Sequence, residues 1–358
     1  MSRVFVGLSG GVDSAVSAAL LKREGHGVTG VFVRIQVKGL PCPAAADRLE
    51  AQRVAAHLRI PLRDIDLSRE YEKKVFNEML ASYRRGETPN PDVLCNREIK
   101  FGLLYDWALE QGAEYLATGH YAQIKGPILE QSSQRSDLGE YRLYAGADTD
   151  KDQSYFLWDI PAERLSRILF PVGALQKSDV RALANKFGLP NAARKDSQGL
   201  CFLGAVPLEE VLREHLALKD GVVLDLKGRV VGSHKGAALY TLGERHGFTL
   251  DASSAETPPH YVVGKDVRVN TITVSEHRIP PRASRTLRMT DTNWLGHTEP
   301  GSCEVRFRYR QPLLRAELSK NKRSVKLKAP QLAAPGQSLV LYRDGRCLGG
   351  GIVNNLAG

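Results

Sequence analysis

A chain of 358 residues, 42% hydrophobic and 25% charged, is long enough for more than one domain and has the make-up of a globular protein, not of a disordered or fibrous one. Its net charge of +10 and pI near 9.3 favour a polyanionic partner, nucleic acid first. No apolar run approaches the roughly 20 residues of a membrane span, a core strand at Arg3 leaves no room for a leader peptide, and five scattered cysteines without a Cys-x-x-Cys pair fit neither a disulfide framework nor a metal cluster. A cytoplasmic location without membrane contact is expected.

Val4-Phe5-Val6 reads as a buried strand and Ala15–Leu21 as a helix, with Gly7-Leu8-Ser9-Gly10-Gly11-Val12-Asp13-Ser14 between them. Two adjacent glycines permit a tight turn that brings bare amides to a helix N-terminus, which suits a pyrophosphate. Ser9 and Ser14 add hydroxyls, and the Asp13 carboxylate suits a magnesium ion. The loop is neither a Walker A motif nor a dinucleotide fingerprint. Val28–Val33 and Leu62–Ile65 are further strands, Ala44–Leu58 a helix, and Leu67–Tyr83 an amphipathic helix carrying Tyr71, Val75, Met79 and Tyr83. In Thr88-Pro89-Asn90-Pro91-Asp92-Val93-Leu94-Cys95-Asn96, Asn96 is the expected N-cap of a helix over Arg97–Gln111. That dipole, with Arg97 and Lys100, should lower the Cys95 thiol. Asp92, three residues before, is placed for acid–base work or simply to hold its turn. Tyr115–Thr118 is a fourth strand ending at Gly119-His120. The alternation predicts an α/β doubly wound parallel sheet with its ligand at the carboxyl ends of the strands.

Gln131–Gly139 reads as an exposed insertion, and Pro161–Leu189 as a return to helix. Cys201 lies in the turn Lys195–Phe202 and is the second candidate reactive thiol. Cys42, between prolines, is reactive or a bystander, while Cys303 and Cys347 are packing residues. Short strands begin at Gly221–His234 and dominate from Val262, so boundaries near 205 and 275 divide the chain into 1–205, 206–275 and 276–358. Residues 282–328 hold twelve Lys and Arg against four Asp and Glu. There Glu304–Arg310 alternates strictly, so one strand would carry Arg306, Arg308 and Arg310 on a single face. Such a row suits a phosphate backbone or a solvated sheet face, and the overall charge favours the former.

Together with Ala-Thr-Gly-His-Tyr at 117–121, Lys-Asp-Gln-Ser-Tyr-Phe-Leu at 151–157, Asp-Ser-Gln-Gly-Leu-Cys-Phe at 196–202, Arg-Tyr-Arg-Gln at 308–311 and Cys-Leu-Gly-Gly-Gly at 347–351, these motifs run in the order of a known family. From Val4 to about Val353 the chain resembles the tRNA-specific 2-thiouridylases (the MnmA family) of the wider ATP-pyrophosphatase group. The resemblance implies an adenine nucleotide alpha-hydrolase-like domain, a small central domain and a C-terminal β-barrel, working as a monomer. It implies ATP with magnesium, and no permanent cofactor, at Gly7, Leu8, Ser9, Gly10, Gly11, Val12, Asp13, Ser14, Val33 and Gly119. Val33 stands where the family usually has methionine and offers adenine less surface, and the following Arg34–Lys38 is basic instead of acidic.

The implied reaction adenylates the 2-carbonyl oxygen of the wobble uridine in the tRNA anticodon loop. Cys201 then delivers persulfide sulfur, Cys95 acts as partner thiol by sulfide release or disulfide formation, and Asp92 serves as acid–base. Asn90, Pro91 and Asp92 would meet the base, and His120, Lys151, Asp152, Gln153, Arg308, Tyr309 and Gln337 the tRNA. The sulfur would come from a persulfide donor, a cysteine desulfurase or a relay protein. The residue-level alternatives are an amide-forming synthetase, which needs no cysteine, and a catalytically silent RNA-binding protein.

Overall fold

The computed structural model describes residues 1–40, 44–126, 140–196, 201–202, 204, 206–251, 258–280 and 283–354. The readings for Cys42, for residues 131–139 and for the motif residues 197–200 lie outside these. In chain order the structure opens with β1 (Arg3–Gly7), α1 (Val12–Arg23), β2 (Gly27–Arg34), α2 (Ala44–Leu58) and β3 (Leu62–Asp66). A helical arm follows, made of α3 (Ser68–Tyr71), α4 (Asn77–Arg84), α5 (Pro91–Cys95) and α6 (Leu104–Glu110), with π-helical stretches at Glu72–Phe76 and Asn96–Leu103. Then come β4 (Tyr115–Ala117), a hairpin of β5 (Ala122–Lys125) and β6 (Arg142–Ala145), β7 (Ile168–Leu169) and α7 (Lys177–Lys186).

Strands β3-β2-β1-β4-β7 form a five-stranded sheet whose pairs are all parallel. Val4, Phe5 and Val6 are buried, as an apolar run covered on both faces requires. Edge strand β3 carries Asp64 and Asp66, paired with Arg48 and Arg34, and such charges blunt an open edge. Because β1 has β2 on one side and β4 on the other, the winding reverses there. The loops after β1 and β4 therefore flank the crevice where such sheets bind ligands. The predicted helix over 161–189 is only partly realised. Ile168 and Leu169 pair with Leu116 and Ala117 as the fifth strand, a two-residue element too short to show a period.

After α8 (Leu208–His215) the central unit contains β8 (Gly221–Leu224), β9 (Val230–His234), β10 (Phe248–Leu250), β11 (Tyr261–Asp266) and β12 (Thr271–Ser275). They lie in the order β10-β9-β8-β12-β11 over a small core of Val223, Val262, Ile272 and Val274. The last unit, β13 (Thr286–Trp294), β14 (Gly301–Arg306), β15 (Leu314–Leu318), β16 (Ser324–Leu327), β17 (Ser338–Arg343) and β18 (Arg346–Val353), is a six-stranded barrel closed by β13 against β18. Its outer sheet continues into the β6–β5 hairpin from the first unit through Arg346 opposite Tyr144.

The arginine row does not form. Strand β14 ends at Arg306, whose side chain is buried over the Tyr342 ring, 4.8 Å from its centroid, and 3.3 Å from Asp152. The Gln311 side chain accepts the Phe307 and Arg308 N–H groups at 3.0 and 3.2 Å, and Arg310 has φ +60°. Residues 307–310 are thus a turn, because these side-chain bonds offer the backbone an alternative to the ladder.

Candidate active site

The glycine-rich loop leaves β1 and enters α1 as expected. Gly10 has φ +78°, and its carbonyl accepts from Asn191 Nδ2 at 2.9 Å and Arg194 Nη1 at 3.1 Å. The Ser9 N–H donates to Ser14 Oγ at 3.3 Å and the Gly11 N–H to Ser9 Oγ at 3.4 Å, both long bonds. A Cβ on Gly119 would lie 2.7 Å from Asp13 C and Ser14 N, so the chain after β4 packs directly on the first turn of α1. Val33 is buried near the end of β2.

Asp13 Oδ1 accepts from Tyr121 Oη at 2.8 Å and from Lys177 Nζ at 2.6 Å. Lys177 also reaches Asp196 Oδ1 at 2.9 Å, and its ammonium occupies the place a cation shared by the two carboxylates would take. A magnesium ion on that Asp13 oxygen would have to displace Lys177. Among the described residues, no group of three or more His, Cys, Asp or Glu side chains is gathered for a metal.

Cys95 and Cys201, 106 residues apart in sequence, meet with Sγ atoms 3.4 Å apart, the Cys95 thiol donating. Asn90, not Asn96, is the N-cap: its side chain accepts the Val93 N–H at 3.3 Å and helix runs without a break from Pro91 to Glu110. Asn96 is buried and donates to the Phe156 carbonyl. Arg97 turns away to Asp159 and Glu98. The expectation of a lowered Cys95 is therefore corrected. Burial raises the Cys95 thiol well above the usual range, while Cys201 is lowered, first by the hydrogen bond from Cys95 and then by the Lys100 ammonium. Of the pair, Cys201 is the ready thiolate.

The Cys201 backbone is clamped at both ends. Its N–H donates to Asp92 Oδ1 at 3.1 Å and its carbonyl accepts the Tyr71 hydroxyl at 2.9 Å. Phe202, next in the chain, has φ +67°, a strained conformation for a non-glycine residue. Burial raises the Asp92 carboxyl against the pull of Lys100, the direction needed in a proton carrier.

Residues expected at the tRNA fall into two sets. Asp152 is buried, accepts the Gly146 and Ser154 N–H groups at 3.0 Å each and pairs with Arg306. Gln153 accepts the Tyr121 N–H at 3.0 Å, Arg308 donates to the carbonyls of Leu242 and Leu332, and His120 is buried. Asp152 and Arg308 tie one unit to another, while Gln153 and His120 brace the first unit from within. Lys151, joined to Asp196, Tyr309 and Gln337 are half-exposed. Asn90 lines a cleft of about 1130 Å³ where the three units meet, with Arg97, Lys265, Arg268 and Gly336. Sequence reasoning missed Tyr71, Lys177, Asn191, Arg194 and the part played by Lys100. None stands beside a reactive residue in the chain, and only Lys100, five positions after Cys95, offered a local signal.

Comparison with known proteins follows this division. A family model described as the tRNA methyl transferase HUP domain matches residues 2–205, one described as the tRNA methyl transferase PRC-barrel domain matches 209–276, and one described as the aminomethyltransferase beta-barrel domain matches 284–353. Among curated proteins, the tRNA-specific 2-thiouridylase MnmA of Geobacillus thermodenitrificans is 40% identical, covering 99% of this chain and 95% of its own. That of Nitrosomonas eutropha is 41% identical, covering 99% of each. The Albidiferax ferrireducens protein of the same name is 41% identical over 98% of this chain and 97% of its own.

Proposed function

Since this chain belongs to the tRNA-specific 2-thiouridylase family and so is a tRNA sulfurtransferase, we propose that it thiolates the wobble uridine of tRNA by ATP activation followed by sulfur transfer from Cys201. The carrying observation is the pair of cysteines 3.4 Å apart, with Asp92 bonded to the backbone of one and three residues before the other. An amide-forming synthetase has no use for such a pair.

ATP phosphates replace the long internal bonds of the Gly7–Ser14 loop and take up its amides at the N-terminus of α1. Adenine packs near Val33 and Gly119. Magnesium, at Asp13 once Lys177 has moved, would offset phosphate charge. A uridine carbonyl oxygen is a poor leaving group, so it first attacks the α-phosphorus and expels pyrophosphate. The Cys201 persulfide anion then attacks C2 and expels AMP, leaving Cys201–S–S–C2. The Cys95 thiolate attacks Cys201 Sγ, which forms the Cys95–Cys201 disulfide and releases the outer sulfur on C2 as 2-thiouridine. A thiol reductant must return two electrons to the disulfide before a persulfide donor reloads Cys201. In the alternative order, Cys95 attacks the persulfide first and frees sulfide as the nucleophile. Asp92 moves the proton between Cys95 and the base. The anticodon base is unpaired and can enter without breaking a duplex, past Asn90 and Pro91, with Lys151, Tyr309 and Gln337 on the RNA.

The test is mass spectrometry of tRNA nucleosides after incubation with ATP, magnesium and a persulfide donor. Wild-type protein should form 2-thiouridine. Cys201→Ser should form none yet still release pyrophosphate with tRNA present, the AMP remaining on the uridine oxygen. 2-Thiouridine from Cys201→Ser would overturn the assignment.

A further inference from the structure

Lys100 is the one charge in the cysteine pocket to which the reaction above gives no task. Five residues after Cys95, it would sit about 140° round an α-helix of 3.6 residues per turn. The π-helical stretch Asn96–Leu103 closes its turns at i+5, so Lys100 returns to the face of Asp92 and Cys95. Its Nζ lies 3.3 Å from His120 Nε2 and 5.8 Å from the centre of the Phe202 ring, beside Cys201.

An ammonium only donates, so His120 Nε2 must accept. The ring proton is then on Nδ1 and points to Thr118 Oγ1, 2.7 Å away. The Phe101 and Phe170 rings pack on the imidazole and fix its plane.

We infer that Lys100 is the counter-cation of the sulfur anion on Cys201, and that His120, locked as the neutral Nδ1–H tautomer by Thr118, is a positioning residue that aims it. The groups facing this sulfur are Asp92 and Cys95 from α5, Lys100 from the π stretch and Tyr71 from α3, and His120 stands behind Lys100. Lys100 is the only cation among them. Burial works against its charge, yet the sulfurs of Cys201 and Cys95 and the Asp92 carboxylate hold it above a lysine's ordinary value. Burial, then Lys100, keep His120 well below its own. Thr118, Gly119 and His120 are consecutive, so the segment packed on the nucleotide loop also sets the charge at the sulfur.

The inference rests on Cys201 as sulfur carrier, but its test needs no thiolation. Iodoacetamide labelling of the full-length protein is followed against pH, with Cys201 read from its own peptide by mass spectrometry. Lys100→Met should move the midpoint for Cys201 upward and slow its labelling at pH 7 about tenfold, one pKa unit. Lys100→Arg should restore most of the rate, and His120→Phe should shift the midpoint the same way by less. An unchanged midpoint in folded Lys100→Met protein would overturn the inference even if thiolation were confirmed. Should Lys100→Met fail to fold, nitrogen-15 NMR of wild-type His120 decides: a bare Nε2 and protonated Nδ1 support the relay, and the opposite tautomer refutes it. Normal Cys201 titration shifts with no 2-thiouridine from the wild type would instead sink the functional reading alone.

Discussion

At the scale of single residues, the two cysteines differ in character although they touch. Cys95 is fully buried and donates its proton; Cys201 is half-exposed and accepts it. A lowered thiol ionises at lower pH, so raising the pH should expose Cys201 to alkylation before Cys95. Peptide-resolved labelling that found Cys95 reacting first would contradict the assignment of carrier and partner. Both cysteines were legible from their flanking prolines and glycines, but their order of acidity was not. Reading Cys95 as a helix-capped thiol failed because the cap lies at Asn90 and the helix carries Cys95 inward. Tyr71 was legible only as a core residue of an amphipathic helix, since nothing in a 3.6-residue period shows that its hydroxyl reaches a carbonyl 130 residues on.

Secondary-structure elements set where chemistry can occur, and at the nucleotide loop the close approach is between β4 and α1. With Cβ-to-backbone distances of 2.7 Å to Asp13 and Ser14, Gly119→Ala has no flexible neighbour to push aside. We expect it to shift the start of α1, at a cost of about 1–3 kcal/mol typical of overpacking, and to weaken ATP binding at least tenfold while tRNA binding persists. Calorimetric titration with ATP checks this, and unchanged affinity would mean the loop does not hold nucleotide. The first four parallel strands and α2 were readable because apolar runs and helical periods survive burial, whereas two-residue β7 was not. The π stretches were not: a single widened turn alters the face of Lys100 without altering composition. The arginine alternation at 304–310 misled because inward-turned Arg306 and a Gln311-capped turn preserve the pattern while abandoning the strand.

For the molecule as a whole, Asp152 and Arg306 join the first unit to the barrel through a buried ion pair whose side chains are 2% and 11% exposed. Removing one member of such a pair strands the other charge, typically at about 3–5 kcal/mol. Asp152→Ala should therefore lower stability in urea unfolding by about that amount, whereas Arg310→Ala, at an exposed turn, should change it by less than about 0.5 kcal/mol. Equal effects would show the pair to be no tie at all. Composition and motif order reveal three units. They do not reveal this tie, because Asp152 reads as a surface residue in a polar run until the fold places Arg306 and Tyr342 around it.

The β5–β6 hairpin, borrowed from the first unit to extend the sheet of the last, has a consequence for how the chain matures. During synthesis the hairpin emerges long before β18, and Ser154 precedes its partner Tyr342 by 188 residues. Contacts so distant in sequence form late, after their loop-closure entropy has been met. The parallel sheet can assemble early around the nucleotide loop, but the stretch from Lys151 to Tyr155 acquires its final bracing only when the barrel closes. The first unit thus reaches its parallel sheet before the stretch from Lys151 to Tyr155 is braced, and that bracing waits for β17.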